Sequence, residues 1–169
     1  MTQGVVKTQG TRLFFASPDA ASSSDPDGVV IYKLACPTGI NGLGGARGQI
    51  DTTCLDSIEM EKQGGMLDPT ELSAPFNFIP GSFSHQALLD LRESGTLISW
   101  MIVLSDQTGS PSAVDSDSRL ISPGATTAEF LGYVADVTFD IATNEIVRGT
   151  LTIQRSGPAV WTLPSPTQD

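Results

Sequence analysis

The sequence predicts a mainly β domain, a β-sandwich or barrel plugged by one short α-helix. Three observations carry this. Leu72, Ala74, Phe76 and Phe78 alternate with Glu71, Ser73, Pro75 and Asn77, the period of a strand with one buried face. Only His85–Ser94 carries helical signals. And 17 Gly and 11 Pro punctuate the 169 residues, the composition of a loop-rich β-protein.

In chain order, Met1–Thr11 reads as a polar arm leading into a strand at Arg12–Ala16. Ser17–Gly28 is a turn-rich loop and Val29–Ala35 the next strand. Pro37–Gly48 holds Gly39, Gly42, Gly44, Gly45 and Gly48, and Gln49–Leu55 resumes an extended pattern. Asp56–Pro69 mixes charge with Gly64-Gly65 and is expected to be a long projecting loop; unstructured loops of that length are uncommon unless functional or disordered. Pro80-Gly81 ends the central strand, and Ser82 or Ser84 offers an N-cap. Ala87, Leu88 and Leu91 share one face of the helix, and Gly95 suits the C′ position. Thr96–Ser105 is apolar on both faces, hence deeply buried. Asp106–Gly124 is rich in Ser, Asp, Gly and Pro and is expected to be mobile.

The last third predicts a hairpin. Leu131, Tyr133, Ala135, Val137, Phe139 and Ile141 alternate with Gly132, Asp136, Thr138 and Asp140 among the even positions. After a turn near Thr143-Asn144, Val147, Leu151 and Ile153 face one side and Arg148, Thr150, Thr152 and Gln154 the other. Gly157-Pro158 ends the strand, leaving Ala159–Asp169 as a tail. The whole of 1–169 reads as one domain.

Charge and cysteine content narrow the function. With nine Lys and Arg and a net charge of −10, tight nucleic-acid binding is not expected, because such binding needs cations against phosphates. An acidic surface suits solubility, or a wall past which DNA moves without sticking. Cys36 and Cys54 match no metal spacing and are expected to be reduced and buried. The sequence has no apolar run long enough to span a membrane, and its N-terminus lacks signal-peptide features, so folding in a cytosol is expected.

No catalytic constellation is recognisable, so no enzyme and no cofactor are expected. Gly42–Gly48 lacks both the dinucleotide-binding spacing and the P-loop lysine, and reads as a flexible turn. Asp25-Pro26-Asp27-Gly28 resembles part of a calcium loop, but Leu34 falls where a bidentate Glu is needed. Asp115 and Asp117 fit a solvated loop. His85, the single histidine, reads as an exposed helix-start residue.

In matching order from about Ile31 to Trp161, several segments resemble the major tail tube proteins of long-tailed, lambda-like bacteriophages. They are Ile50-Asp51-Thr52-Thr53 with Leu55-Asp56, Phe76-Asn77-Phe78-Ile79-Pro80-Gly81, Ala87-Leu88-Leu89, Ile98–Leu104 with Ser105-Asp106, Phe130-Leu131-Gly132-Tyr133-Val134 and Ile153-Gln154-Arg155-Ser156-Gly157-Pro158. The ordered combination carries the likeness; no single segment does. Ser17–Gly28 and Asp106–Gly124 look longer than the family minimum, and no immunoglobulin-like domain is expected after Gly157.

The resemblance implies a fold of two packed antiparallel sheets with one short flanking α-helix, in a subunit of rings, six-membered in the family, that stack into a tube around a tape-measure protein. Tail terminator and tail-tip proteins would be further partners, and double-stranded DNA would pass without specific binding. It would be made in the bacterial host cytoplasm, with no membrane association. A tail-completion or contractile secretion-tube subunit of the same fold, or a β-sandwich ligand-binding module, are the alternatives. Asp136, Thr138, Asp140, Thr150 and Thr152 form a short or acidic face expected to line the lumen, with Arg148 the exception. Glu59, Met60, Glu61, Lys62, Met66 and Leu67 are expected to form an inter-ring loop, since exposed Met adapts to a partner surface.

Overall fold

A computed structural model of the chain describes residues 5–18, 28–106 and 108–164. The turn-rich loop expected at Ser17–Gly28, with its calcium-loop likeness, falls almost wholly outside these residues. In chain order the elements are β1 (Arg12–Pro18), β2 (Val29–Lys33), β3 (Gly45–Asp51), β4 (Lys62–Pro69), β5 (Leu72–Asn77), α1 (Phe83–Ser94), β6 (Ile98–Val103), β7 (Thr127–Asp140) and β8 (Arg148–Thr162). They build two antiparallel sheets and one helix, the predicted class. The large sheet has the order β2-β1-β6-β7-β8-β5, and β3-β4 form a separate pair.

The large sheet curls until its ends meet. Beyond β2 the backbone runs antiparallel to β5, bridging Pro37 to Phe76 and Asn41 to Ser73. The Thr38 N–H donates to the Pro75 carbonyl at 2.8 Å, and the Asn77 N–H to the Cys36 carbonyl at 3.0 Å. Leu13, Phe15, Leu72, Ala74, Phe76, Trp100, Phe130, Leu151 and Ile153 fill the interior with Leu88 and Leu91 of α1. Burial in β5 alternates strictly from Leu72 to Asn77, and β6 is buried at all six positions, both as predicted. The helix begins one turn fraction earlier than the expected His85 and ends on Gly95, whose φ of 62° lets its N–H reach the Leu91 carbonyl at 2.9 Å.

Several expectations are corrected. Asp106–Gly124, expected to be mobile, lies over the outer face of β1 and β6, where Leu120 and Ala125 bury a second apolar cluster with Phe14, Ala16, Met101 and Val103. Glu129 holds it there: its carboxylate accepts from Arg119 Nε at 2.9 Å and from Ser99 Oγ at 3.1 Å, and Ser99 Oγ accepts from the Leu120 N–H. Asp115 is a turn residue, accepting from the Asp117 and Arg119 N–H groups at 2.9 Å.

Asp56–Pro69 is not one loop. Its second half is strand β4, and β3 absorbs part of the glycine-rich stretch read as a flexible turn. Gly42 there has φ of 100°, and a Cβ would stand 2.0 Å from the Glu71 carbonyl, so only glycine lets the two chains cross.

The parity of β7 is also different. A bulge between Val134 and Asp136 adds one residue, so the core face runs Ala128, Phe130, Val134 and then Val137. Tyr133, Phe139 and Ile141, expected inside, are exposed. β8 continues past Gly157-Pro158 to Thr162, so the expected tail at Ala159 begins as strand.

Finally, both cysteines are exposed free thiols, whereas His85 is only 2 % exposed. Its Nδ1 accepts from the Ile79 N–H at 3.0 Å and its Nε2 donates to the Ala35 carbonyl at 3.0 Å, the arrangement of the Nε2–H tautomer. Ser84 Oγ accepts from the Ala35 N–H at 3.2 Å. The start of α1 thus clamps the turn at Cys36, which has φ of 52°, where the chain leaves β2 to close the sheet.

Candidate functional site

Two surfaces assemble the residues that the sequence singles out. On the first, register makes the expected lumen residues direct neighbours across strands. Asp136 pairs with Thr152, Thr138 with Thr150 and Asp140 with Arg148; β5 continues the rows with Ser73, Pro75 and Asn77. Thr138 and Asp140 are exposed and the other three half-buried.

The charge of this face is more balanced than the sequence suggests. Asp136 meets Arg92 of α1 at 3.5 Å, and Arg148 lies 3.9 Å from Glu145. Three carboxylates therefore face two guanidinium groups. Exposed pairs of this kind contribute ~0–1 kcal/mol, so their effect is on local potential rather than stability.

The second surface is the arm formed by β3 and β4. Every residue of β3 is exposed, and β4 is exposed except at Gly65 and Pro69, which are half-buried. Lys62, Met66 and Leu67 lie on β4, while Glu59, Met60 and Glu61 belong to the tip that joins the strands.

The tip is tied together. Asp51 accepts from Thr53 through both its N–H, at 3.0 Å, and its hydroxyl, and the Glu61 N–H donates to Thr53 Oγ1 at 3.0 Å. The Thr53 hydroxyl bond, then its backbone bond, hold the Asp51 carboxyl below its usual range.

At the arm's other end sits Arg155, a residue the functional reading of the sequence passed over. It is 4 % exposed; Nε donates to the Thr70 carbonyl at 3.0 Å and Nη2 to the Gly44 carbonyl. Thr70 Oγ1 in turn donates to the Gly42 and Gly44 carbonyls, each at 2.9 Å. Burial pushes the guanidinium pKa down from its ordinary value. The signal was present: Arg155 continues the inward parity of Leu151 and Ile153. Leu55, Ile58 and Ile50 were likewise missed, although they alternate with charges around the tip.

A curled antiparallel sheet, one flanking helix and a projecting hairpin define the tube-subunit fold of phage tails and injection machines. The structure resembles the SPP1 tail tube with a TM-score of 0.58 at 14% identity, covering 95% of this chain and 82% of that one. It resembles the sheath/tube terminator of the extracellular contractile injection system PVC with a TM-score of 0.65 at 12% identity, over 96% and 100% of the chains. It also resembles the tail of an empty gene transfer agent particle, refined with C6 symmetry, with a TM-score of 0.60 at 12% identity over 90% and 96%.

In sequence, residues 4–165 match the family described as phage tail tube, TTP, lambda-like. Structural protein 3 of Pseudomonas phage PAJU2 is 32% identical over 160 residues, 92% of this chain and 93% of that protein. The chain belongs to the lambda-like phage tail tube family. It is a structural subunit of a phage tail tube and a component of the virion tail.

Proposed function

We propose that the subunit forms six-membered rings that stack into a hollow tube, with residues 1–169 acting as one tail tube domain. The family match across 4–165 carries this reading, and the C6 symmetry of the gene transfer agent tail supports the ring number. In it the tube assembles on a tape-measure protein, is closed by terminator and tip proteins, and later conducts double-stranded DNA.

The β5-β8-β7 face with Asp136, Thr138, Asp140, Thr150 and Thr152 is the lumen wall. Its mixture of short polar side chains and nearly balanced charge suits a conduit: each cation facing phosphate releases counterions and adds binding. The arm is the contact between subunits, with Glu59, Met60, Glu61, Lys62, Met66 and Leu67 meeting the neighbouring ring.

Electron microscopy tests both parts. Replacing Glu61–Leu67 with a short Gly-Ser link should leave cooperative melting intact and abolish tubes; tubes of normal length from that variant would overturn the role of the arm. Thr138→Lys with Asp140→Lys should allow tubes but slow DNA passage, and unimpaired infectivity would remove this face from the lumen.

A further inference from the structure

At the base of the arm, an open groove of about 640 Å³ lies between the N-terminal approach to β1 and the crossing that closes the sheet. Ile102, Leu104, Ile40 and Leu43 line it, together with the Thr8–Thr11 stretch. Among the described residues no charged side chain lines it, in a chain of net charge −10.

At the arm's far end, Leu55 and Ile58 are fully exposed, at 109 % and 101 %, and Met60 is 72 % exposed. The Ser57 N–H donates to the Cys54 carbonyl at 3.0 Å, so these side chains stand on a formed turn. Resting on the reading of the arm as an inter-subunit contact, we propose that the tip of one copy docks in the groove of a second copy, with Leu55 and Ile58 as anchors.

Three arguments favour a second copy over self-docking or a different partner. The groove begins at Leu43, two residues before β3, and the seven residues of β3 carry the tip away from it. At ~3.3 Å per strand residue the separation is roughly 20 Å, so a paired hairpin does not return its tip to its own base. Charge agrees as well. Asp51, Asp56, Glu59 and Glu61 surround the tip with only Lys62 opposing them, so most of this acidic molecule repels it, whereas the groove is neutral and Lys7 stands exposed beside it. Lastly, tip and groove are different surfaces. A contact between unlike patches does not close a twofold dimer; it propagates into rings or open filaments, the outcome a tube subunit needs. A formed tip also loses less entropy on docking than a limp one.

Single-cysteine chains test this. A Cys36→Ser chain, whose native Cys54 is an exposed tip thiol, and a Cys36→Ser, Cys54→Ser, Gln9→Cys chain, with Gln9 also exposed, are mixed, assembled and mildly oxidised. The expected product is a covalent dimer holding one chain of each kind, with neither chain giving dimers alone. Normal tubes without the mixed dimer, or dimers of the Cys54 chain by itself, would overturn the docking.

Hydrogen exchange on the unaltered chain gives an independent readout. Assembly should protect amides 8–11, 40–43 and 53–60 together, and an unprotected groove in intact tubes would also overturn it. The outcome is separable from the arm's broader role. Loss of tubes on shortening the arm, with no mixed dimer, leaves the arm as a contact and removes only the groove as its receptor.

Discussion

His85 gives the sharpest test of how this subunit holds its sheet closed. In His85→Phe the ring volume is retained against Phe76 and Phe78, whose centroids lie 4.6 and 5.7 Å from the imidazole. What goes is the pair of hydrogen bonds to the Ile79 N–H and the Ala35 carbonyl. Leaving a buried backbone group unpaired costs about 1–3 kcal/mol. The Ile79 and Ala35 groups are only part-buried in their bonds, so water recovers some of that, and the expected loss is about 2–3 kcal/mol. In a domain of this size each kcal/mol moves Tm by roughly 2–4 °C, which gives a fall of about 4–12 °C. His85→Ala adds a cavity beneath two aromatic rings and should lose about 3–5 kcal/mol. Urea melts followed by far-ultraviolet circular dichroism read this as a shift of midpoint at unchanged slope. A His85→Phe midpoint within about 0.5 kcal/mol of the parent would show that the clamp on residue 35 is not what closes the sheet.

Three further outcomes follow from the geometry. A Cβ at Gly149 would stand 2.4 Å from Phe76 Cζ, so Gly149→Ala should cost about 1–3 kcal/mol by overpacking, read from the urea midpoint. Arg155→Lys keeps the charge but loses the fork; it should destabilise by about 1–3 kcal/mol and speed hydrogen exchange at residues 42–45 and 70–71, and unchanged exchange would refute the latch. Because folding lowers the Asp51 pKa, its contribution to tip order is full above the ordinary aspartate value of 3.8 and is lost as pH falls through the lowered one; amide exchange at 52–61 should rise over that window in the parent chain and not in Asp51→Ala.

The parts of the fold legible in the sequence are those where one physical signal acts alone. Leu72, Ala74 and Phe76 alternate because only one face of β5 is buried, and Gly95 ends the helix because the chain there needs positive φ. That Asp136, Thr138, Thr150 and Thr152 share one face was legible, because the hairpin turns near Asn144.

The failures have equally local causes. The bulge at Ala135 inserts one residue without any Gly or Pro to mark it, so the odd parity that faces the core at Val137 faces outward before it, at Tyr133. β3 and β4 bury neither face, so they carry no hydrophobic period; their pairing rests on backbone bonds that composition does not reveal. His85 illustrates a third limit: an imidazole at the start of a helix looks the same whether water or the Ile79 and Ala35 backbone satisfies it.

The exposed arm separates folding from assembly in a testable way. Ordering each of its residues costs about 1–2 kcal/mol of backbone entropy, and with nearly all of its surface in water it gains little from apolar burial in return. Its cross-strand bonds and the Arg155–Thr70–Gly44 latch are what offset that cost within one subunit. The core needs none of the arm: Leu72, Leu151 and Ile153 pack on one another and on α1. Substitutions on the arm at Met66 or Ile58 should therefore leave the melting midpoint within about 0.5 kcal/mol, as exposed changes usually do, while altering tube yield. Core changes such as Leu151→Ala should do the reverse, losing about 2–5 kcal/mol yet assembling normally at temperatures where the subunit stays folded. A Met66→Ser chain that both melts early and builds normal tubes would show that the arm is part of the fold and not of the interface.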